Sequence, residues 1–160
     1  MDRELLEVLA SDARTSVDDI ARQLDRDPEA VKGSIEELEE AGVIKGYSAV
    51  IDWDAVDAGT VRAIVELNVE LDRETDYEEI ADRIARFPEV KSLLLVSGNY
   101  DFAIEVEGES MQAVSRFVAE QVAPVPEITQ TVTHFVMETY KDGGFVFEDR
   151  DDDDRLSVSP

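Results

Sequence analysis

In the first part of the chain apolar residues recur at helical spacing. Leu5, Leu6 and Leu9 predict a first helix that stops at the polar run Ser11-Asp12-Ala13-Arg14. Val17, Ile20, Ala21 and Leu24 form one stripe of a second helix, with Ser16 placed as its N-cap. Asp25-Arg26-Asp27 makes a three-residue turn, and Asp27 caps a third helix that starts on Pro28, which has no amide hydrogen to leave unpaired there. Val31, Ile35 and Leu38 line its inner side, and Gly42 ends it. Three short helices with a tight turn between the last two make a helix-turn-helix pattern. The following VIKGYSAVID reads as a strand or wing broken by Gly46, and DWDAVDAGT as a linker closing this unit near residue 60.

The period then changes. VRAIVELNVEL (61–71) alternates as a strand does, and DYEEIADRIARF (76–87) returns to helical spacing through Tyr77, Ile80, Ile84 and Phe87. VKSLLLVSG is a second strand. After the Gly98-Asn99 turn the order repeats with DFAIEVEG, MQAVSRFVAEQV and ITQTVTHFVMETY as strand, helix and strand. The helix-to-strand joints repeat too, as Phe87-Pro88-Glu89-Val90 and Val125-Pro126-Glu127-Ile128. A β-α-β-β-α-β order is the ferredoxin-like split, an antiparallel sheet with both helices on one face. Strand one carries Val61, Ala63, Val65, Leu67, Val69 and Leu71 on one side, but Ile64 among Glu66, Asn68 and Glu70 on the other, a mostly polar face for a partner subunit to cover in part. The expected fold is α+β. A winged helix-turn-helix with its strand linker takes residues 1–60, a ferredoxin-like βαββαβ domain takes 61–142, and an acidic, disordered tail takes 143–160.

Charge refines this picture. The chain has 39 acidic and 15 basic residues and a net charge of −24, yet 43% of its residues are hydrophobic and fall in clear periods, so the charge does not prevent folding. Only four of the 15 cations are lysine. At about 1 M salt the Debye length shrinks to roughly 3 Å, so this balance suits a folded protein of a halophilic cytoplasm. There is no cysteine for a disulfide or thiolate site. The N-terminus MDRELLEVLA lacks a basic, apolar leader, and no window approaches the roughly 20 apolar residues of a membrane span, so a soluble cytoplasmic protein is expected. The single histidine, His134, reads as structural, and no catalytic constellation, metal site or cofactor motif can be built around it. FEDRDDDDRLSVSP has six acids between 148 and 154 but lacks the glycine and final glutamate of a calcium loop.

Three stretches carry a family likeness: SVDDIARQL with its turn and third helix, LEEAGVIKGYSAVID, and VSGNYDFAIEV with the closing strand. Over residues 1 to about 142 they resemble the Lrp/AsnC (feast/famine) family of transcription regulators. The string of Leu38, Gly42, Val43, Ile44, Gly46 and Tyr47 is more specific than Gly-Asn-Tyr-Asp alone. The resemblance implies a non-enzymatic regulator of promoter DNA, bound as a duplex. It implies an amino acid or related metabolite as effector, and dimers through the sheet domain that commonly assemble into octamers. It also places the effector around Gly98, Asn99, Tyr100 and Asp101, with Thr131 and Thr133 as further contacts. A Gly-Asn turn exposes amides that hold a carboxylate, and Asp101 answers an ammonium; equally, Gly-Asn is a hairpin signal in its own right.

The third helix departs from the family. Where members usually place several cations, at 32, 33, 34, 36 and 37, this chain has Lys32, Gly33, Ser34, Glu36 and Glu37. With about six phosphate contacts, a tenfold rise in salt weakens binding by roughly 10⁵, so cations placed for phosphate return little in molar salt. Readout then falls to close contacts: Lys32 to guanine, Ser34 to either base type, Glu29 or Glu36 to a cytosine amino group, Ala30 to a thymine methyl, with Gly33 beside them. Arg14, Arg22, Arg26, Lys32 and Lys45 remain to position the backbone. Two alternatives stay open: a metabolite-sensing or assembly protein that has lost DNA binding, and an enzyme like the siroheme decarboxylases. The latter carry a His-Asn-Tyr motif where this chain has Gly98-Asn99-Tyr100, followed by the acid Asp101 where a cation is wanted.

Overall fold

The computed structural model describes residues 2–56 and 59–147. The chain forms two compact units: Met1–Ile51 together with the residues from Lys141 onward, and Asp52–Tyr140.

In the first unit three helices form where the caps and stripes place them: α1 (Arg3–Ser11), α2 (Val17–Leu24) and α3 (Pro28–Glu40). Asp2 caps α1 through the Leu5 amide, Ser16 caps α2 through Asp19, and Asp27 caps α3 through Glu29 and Ala30. Each cap satisfies amides that the first helical turn leaves open. Leu5, Ile20, Ala21, Val31 and Leu38 bury the core, with Leu6, Leu9, Val17, Leu24 and Ile35 packed against it. α3 ends in a Schellman turn: Gly42 sits at φ +67, its amide reaches the Glu39 carbonyl, and the Val43 amide reaches Leu38. α2 ends on Asp25, the one non-glycine residue in a left-handed conformation among those described (φ 51). An L side chain resists that region, so Asp25→Gly is expected to stabilise the unit by about 0.5–1 kcal/mol, read as a higher denaturant midpoint.

The wing expected over VIKGYSAVID is not formed. Residues 45–52 have no regular structure, and Tyr47, Val50 and Ile51 stand exposed. A strand needs a ladder partner, and none of the described strands pairs with this segment. The boundaries also differ from those expected. The second unit starts at Asp52, and the residues after Lys141 do not simply trail: β5 (Lys141–Asp142) and β6 (Phe145–Val146) pair as a small hairpin grouped with the first unit. The remainder of the expected tail, residues 148–160, lies outside the described residues.

The second unit is the expected βαββαβ: β1 (Val61–Val69), α4 (Tyr77–Ile84), β2 (Val90–Leu95), β3 (Phe102–Gly108), α5 (Met111–Phe117, continued as a π-turn over Val118–Val122) and β4 (Ile128–Phe135). The sheet order is β2-β3-β1-β4, and every pairing is antiparallel. Alternation sends Ala63, Val65, Leu67, Phe102, Ile104 and Val106 to the face that Ile80, Ile84, Val114, Phe117 and Val122 cover. Phe87 and Phe117 meet edge to face, as do Tyr77 and Phe102. The other face is polar with apolar islands, Ile64 and Leu94 exposed beside the ion pair of Arg62 with Glu105 and the contact of His134 with Glu66.

Candidate nucleic-acid interface and effector hairpin

With Val31 and Leu38 buried and Ile35 packed beside them, the helical period turns Glu29, Gly33, Glu36, Glu37 and Glu40 outward and sets Lys32 and Ser34 on opposite flanks. Among the described residues the side chains of Glu29, Lys32, Glu36, Glu37 and Glu40 make no hydrogen bond or ion pair with the protein. Ser34 and Arg26 are placed differently. Arg26 donates to the Ser34 hydroxyl at 3.0 Å and forms an ion pair with Asp2, so one guanidinium ties the start of α1, the turn and α3 together. Both are half-buried, and the inter-helix framework engages them. Arg22 is paired with Asp19 on the surface at 2.6 Å, while Arg14 and Lys45 are exposed. A further contact was not foreseen: Tyr47 donates to Glu39 at 2.7 Å, anchoring the extended segment to the last turn of α3. That bond to a carboxylate raises the tyrosine's pKa above its ordinary value.

The hydrogen bond from Arg26 holds the Asp2 carboxyl below its usual range, against the smaller opposing effect of burial. A depressed folded value means that the pair stabilises above the pH at which a free aspartate ionises. The contribution is lost as pH falls through the lowered value. Asp2→Asn is therefore expected to lose about 1 kcal/mol at neutral pH, with the gap to the unmodified chain closing below about pH 4 in acid unfolding.

In the second unit the turn between β2 and β3 is fastened to β1. The Asp101 amide donates to the Leu67 carbonyl, and the Val96 amide to that of Asp101, each at 2.9 Å. The Asp101 carboxylate accepts from the Val69 amide at 2.9 Å, and Tyr77 points its hydroxyl at the other oxygen at 3.4 Å. Asn68 donates to the Asn99 carbonyl at 2.8 Å. Gly98 at φ +129 takes a conformation open to glycine and exposes the loop tip, with Asn99 beside it and Tyr100 half-buried. Thr131 pairs with Leu67 and Thr133 with Val65, so both belong to the helix-covered side of the sheet, half-buried on its edge strand. Leu67 is flanked by Phe102 on one side and Thr131 on the other, which sets Thr131 two strand spacings, about 10 Å, from the base of the turn. Thr133 lies a further pair along. Asn68 and Tyr77 are parts of this site that the sequence did not single out; the signal available was the place of Asn68 on the polar side of strand one. His134 is half-exposed and lies 3.2 Å from Glu66. Among the described residues no group of three potential metal ligands converges.

A helix-turn-helix unit joined in one chain to a ferredoxin-like sheet with a fastened β2–β3 turn defines a class: two-part DNA-binding regulators with a ligand-binding sheet. The Lrp/AsnC ligand binding domain matches residues 62–145, and a family described as HVO_A0114 matches residues 2–57. The uncharacterized HTH-type transcriptional regulator YugG of Bacillus subtilis is 40% identical over 158 residues, 98% of this chain and 95% of its own length. The leucine-responsive regulatory protein of Escherichia coli K12 is 26% identical over 88% of this chain and 85% of its own. A feast or famine regulatory protein from M. tuberculosis, solved in complex with L-methionine, superposes with a TM-score of 0.70 at 26% identity, covering 88% of this chain and 92% of that one. The chain belongs to the Lrp/AsnC family of transcription regulators.

Proposed function

We propose that the chain regulates transcription by binding promoter DNA through the outer face of α3, under the control of an amino acid or closely related metabolite held at the turn Gly98–Asp101. The carrying observation is the union in one chain of a helix-turn-helix whose third helix leaves its outer side chains unengaged and a sheet domain that matches the family's ligand-binding domain. The L-methionine in the mycobacterial relative supports an amino acid as the effector class. Lys32 reads guanine, Glu29 or Glu36 a cytosine amino group and Ala30 a thymine methyl, while Arg14, Arg22 and Lys45 lie against phosphates. Arg26 and Ser34 serve the interface indirectly, by fixing the angle of α3. The open sheet face joins two copies, on which a higher assembly builds, and the protein works in the cytoplasm with no catalytic role.

Footprinting on the chain's own promoter in about 2 M KCl should protect a defined site, and Lys32→Ala should lose it. No protected site for either protein overturns the reading. The acidity of α3 favours a second reading, a metabolite sensor that has given up DNA. It predicts no footprint, together with a thermal shift on adding an amino acid.

A further inference from the structure

Within the first unit, the end of α1, the extended segment after Gly42 and the β5–β6 hairpin enclose a groove of about 830 Å³, a size typical of small-molecule sites. Its walls are mostly apolar, with Leu9, Val43, Val50 and Phe145 along them, and Arg14 and Lys45 stand exposed at its rim. One wall is close-packed. A Cβ on Gly143 would stand 2.6 Å from the Val50 side chain, so the hairpin turn sits hard against the extended segment. The rim cations differ from others of the unit: Arg3, Arg22 and Arg26 each have a carboxylate within ion-pair distance. Among the described residues neither Arg14 nor Lys45 has one. Asp12 lies at the rim as well, but its carboxylate accepts from the Arg14 amide at 2.9 Å. In a chain of 39 acidic and 15 basic residues, two cations left without a carboxylate beside an apolar groove are open to an anion from outside.

We propose that this groove binds a small amphiphilic anion, an aliphatic carboxylate, with its chain along Leu9, Val43, Val50 and Phe145 and its head against Arg14 and Lys45. Mostly apolar walls favour a ligand body without polar groups, and the charge at the rim favours an anionic head. The chain carries most of the affinity, because apolar burial is not screened by salt as charge is. The two cations set which end of the ligand lies at the rim. Ion pairs of exposed groups are weak, so they add a modest preference over an uncharged analogue. No residue of the turn Gly98–Asp101 lines the groove, which makes it a second ligand site in the other unit. While filled, it withholds two cations from DNA phosphates. The binding itself does not depend on the DNA-binding reading; only this consequence does.

Calorimetric titration of the full chain in about 2 M KCl with potassium hexanoate, octanoate and decanoate, each below its micelle concentration, tests the site. Saturation at one carboxylate per chain is expected, with affinity rising about fourfold for each added methylene and octanol binding about threefold more weakly than octanoate. Val43 and Phe145 are 44% and 53% exposed, so aspartate at either position is compatible with folding. Val43→Asp and Phe145→Asp should each weaken decanoate binding by about tenfold, since each puts a charge beside the aliphatic chain. Arg14→Gln with Lys45→Gln should remove the preference for octanoate over octanol and keep the dependence on chain length. Excess L-methionine, a probe of the sheet-domain site, should not displace decanoate. The proposal is overturned by the absence of saturable heat, by several carboxylates per chain, by displacement with methionine, or by indifference to Val43→Asp and Phe145→Asp. Equal binding of octanol and octanoate overturns the anionic head, and binding that emerges only on dilution assigns the groove to a second copy of the chain instead. Promoter titration addresses the consequence separately: saturating decanoate should weaken DNA binding by about threefold. Unchanged DNA binding overturns the antagonism while the calorimetry still decides the site.

Discussion

Replacing Gly33 by alanine is expected to make the protein more stable by about 1 kcal/mol while weakening promoter binding by about tenfold. Glycine in a helix interior is unfavourable because its backbone loses more freedom on folding than that of any other residue. Such a residue persists where a positive φ, a close internal neighbour or an outside partner requires it. The first two reasons do not hold for Gly33: its φ is not in the left-handed region, and a Cβ placed on it meets nothing within 4 Å beyond its own helical turn. Gly108 shows the contrast, since a Cβ there would stand 2.9 Å from Val114. On the proposed reading the outward face of α3 meets the duplex, and the missing side chain at position 33 lets the backbone approach it. Glutamates surround it, so on that reading a close backbone at Gly33 is what carries Lys32 and Glu36 to base edges without help from long-range attraction. Urea unfolding and a footprinting titration measure the two effects. An alanine variant that gains stability and binds the promoter unchanged would show that the backbone does not come that close.

The second large effect is expected at Asp101. Asp101→Asn retains an oxygen for the Val69 amide, so the turn should hold its place with a stability change below about 1 kcal/mol, whereas the response to an amino acid should fall by tenfold or more. Asp101→Ala removes both functions. The Val69 amide then loses its partner in a half-buried position, and the expected loss is about 1–3 kcal/mol together with the ligand response. Thermal shift against a panel of amino acids, beside denaturant unfolding, separates the two variants. Equal ligand response in the asparagine variant and the unmodified chain would limit Asp101 to a structural role.

The helices were legible because their signals are local. Ser16, Asp27 and Pro28 mark helix starts by their own chemistry, and Gly42 marks a stop, so position and type followed from short stretches. The alternation of Val61, Ala63, Val65 and Leu67 likewise gave the buried side of the central strand. What stayed hidden depends on groups distant in sequence. Arg26 looked like a free cation beside the third helix, and only the fold brings Asp2 and Ser34 to it. Asp101 looked available to a ligand, but the path of β1 places the Val69 amide on one of its oxygens. The wing was misread because an apolar-rich run in residues 43–52 is not sufficient for a strand; the ladder needs a second strand, which the sequence of one segment does not specify.

The return of the β5–β6 hairpin to the first unit has a consequence for synthesis. The amino-terminal unit is interrupted in the chain by all of Asp52–Tyr140, and its hairpin strands are made only after that whole stretch. At about 5–20 residues per second the three helices wait on the order of ten seconds for the hairpin that completes their unit. The sheet domain, continuous in sequence, can finish first. A nascent chain stalled before Lys141 therefore carries every strand and helix of the sheet domain but lacks the hairpin grouped with the three helices.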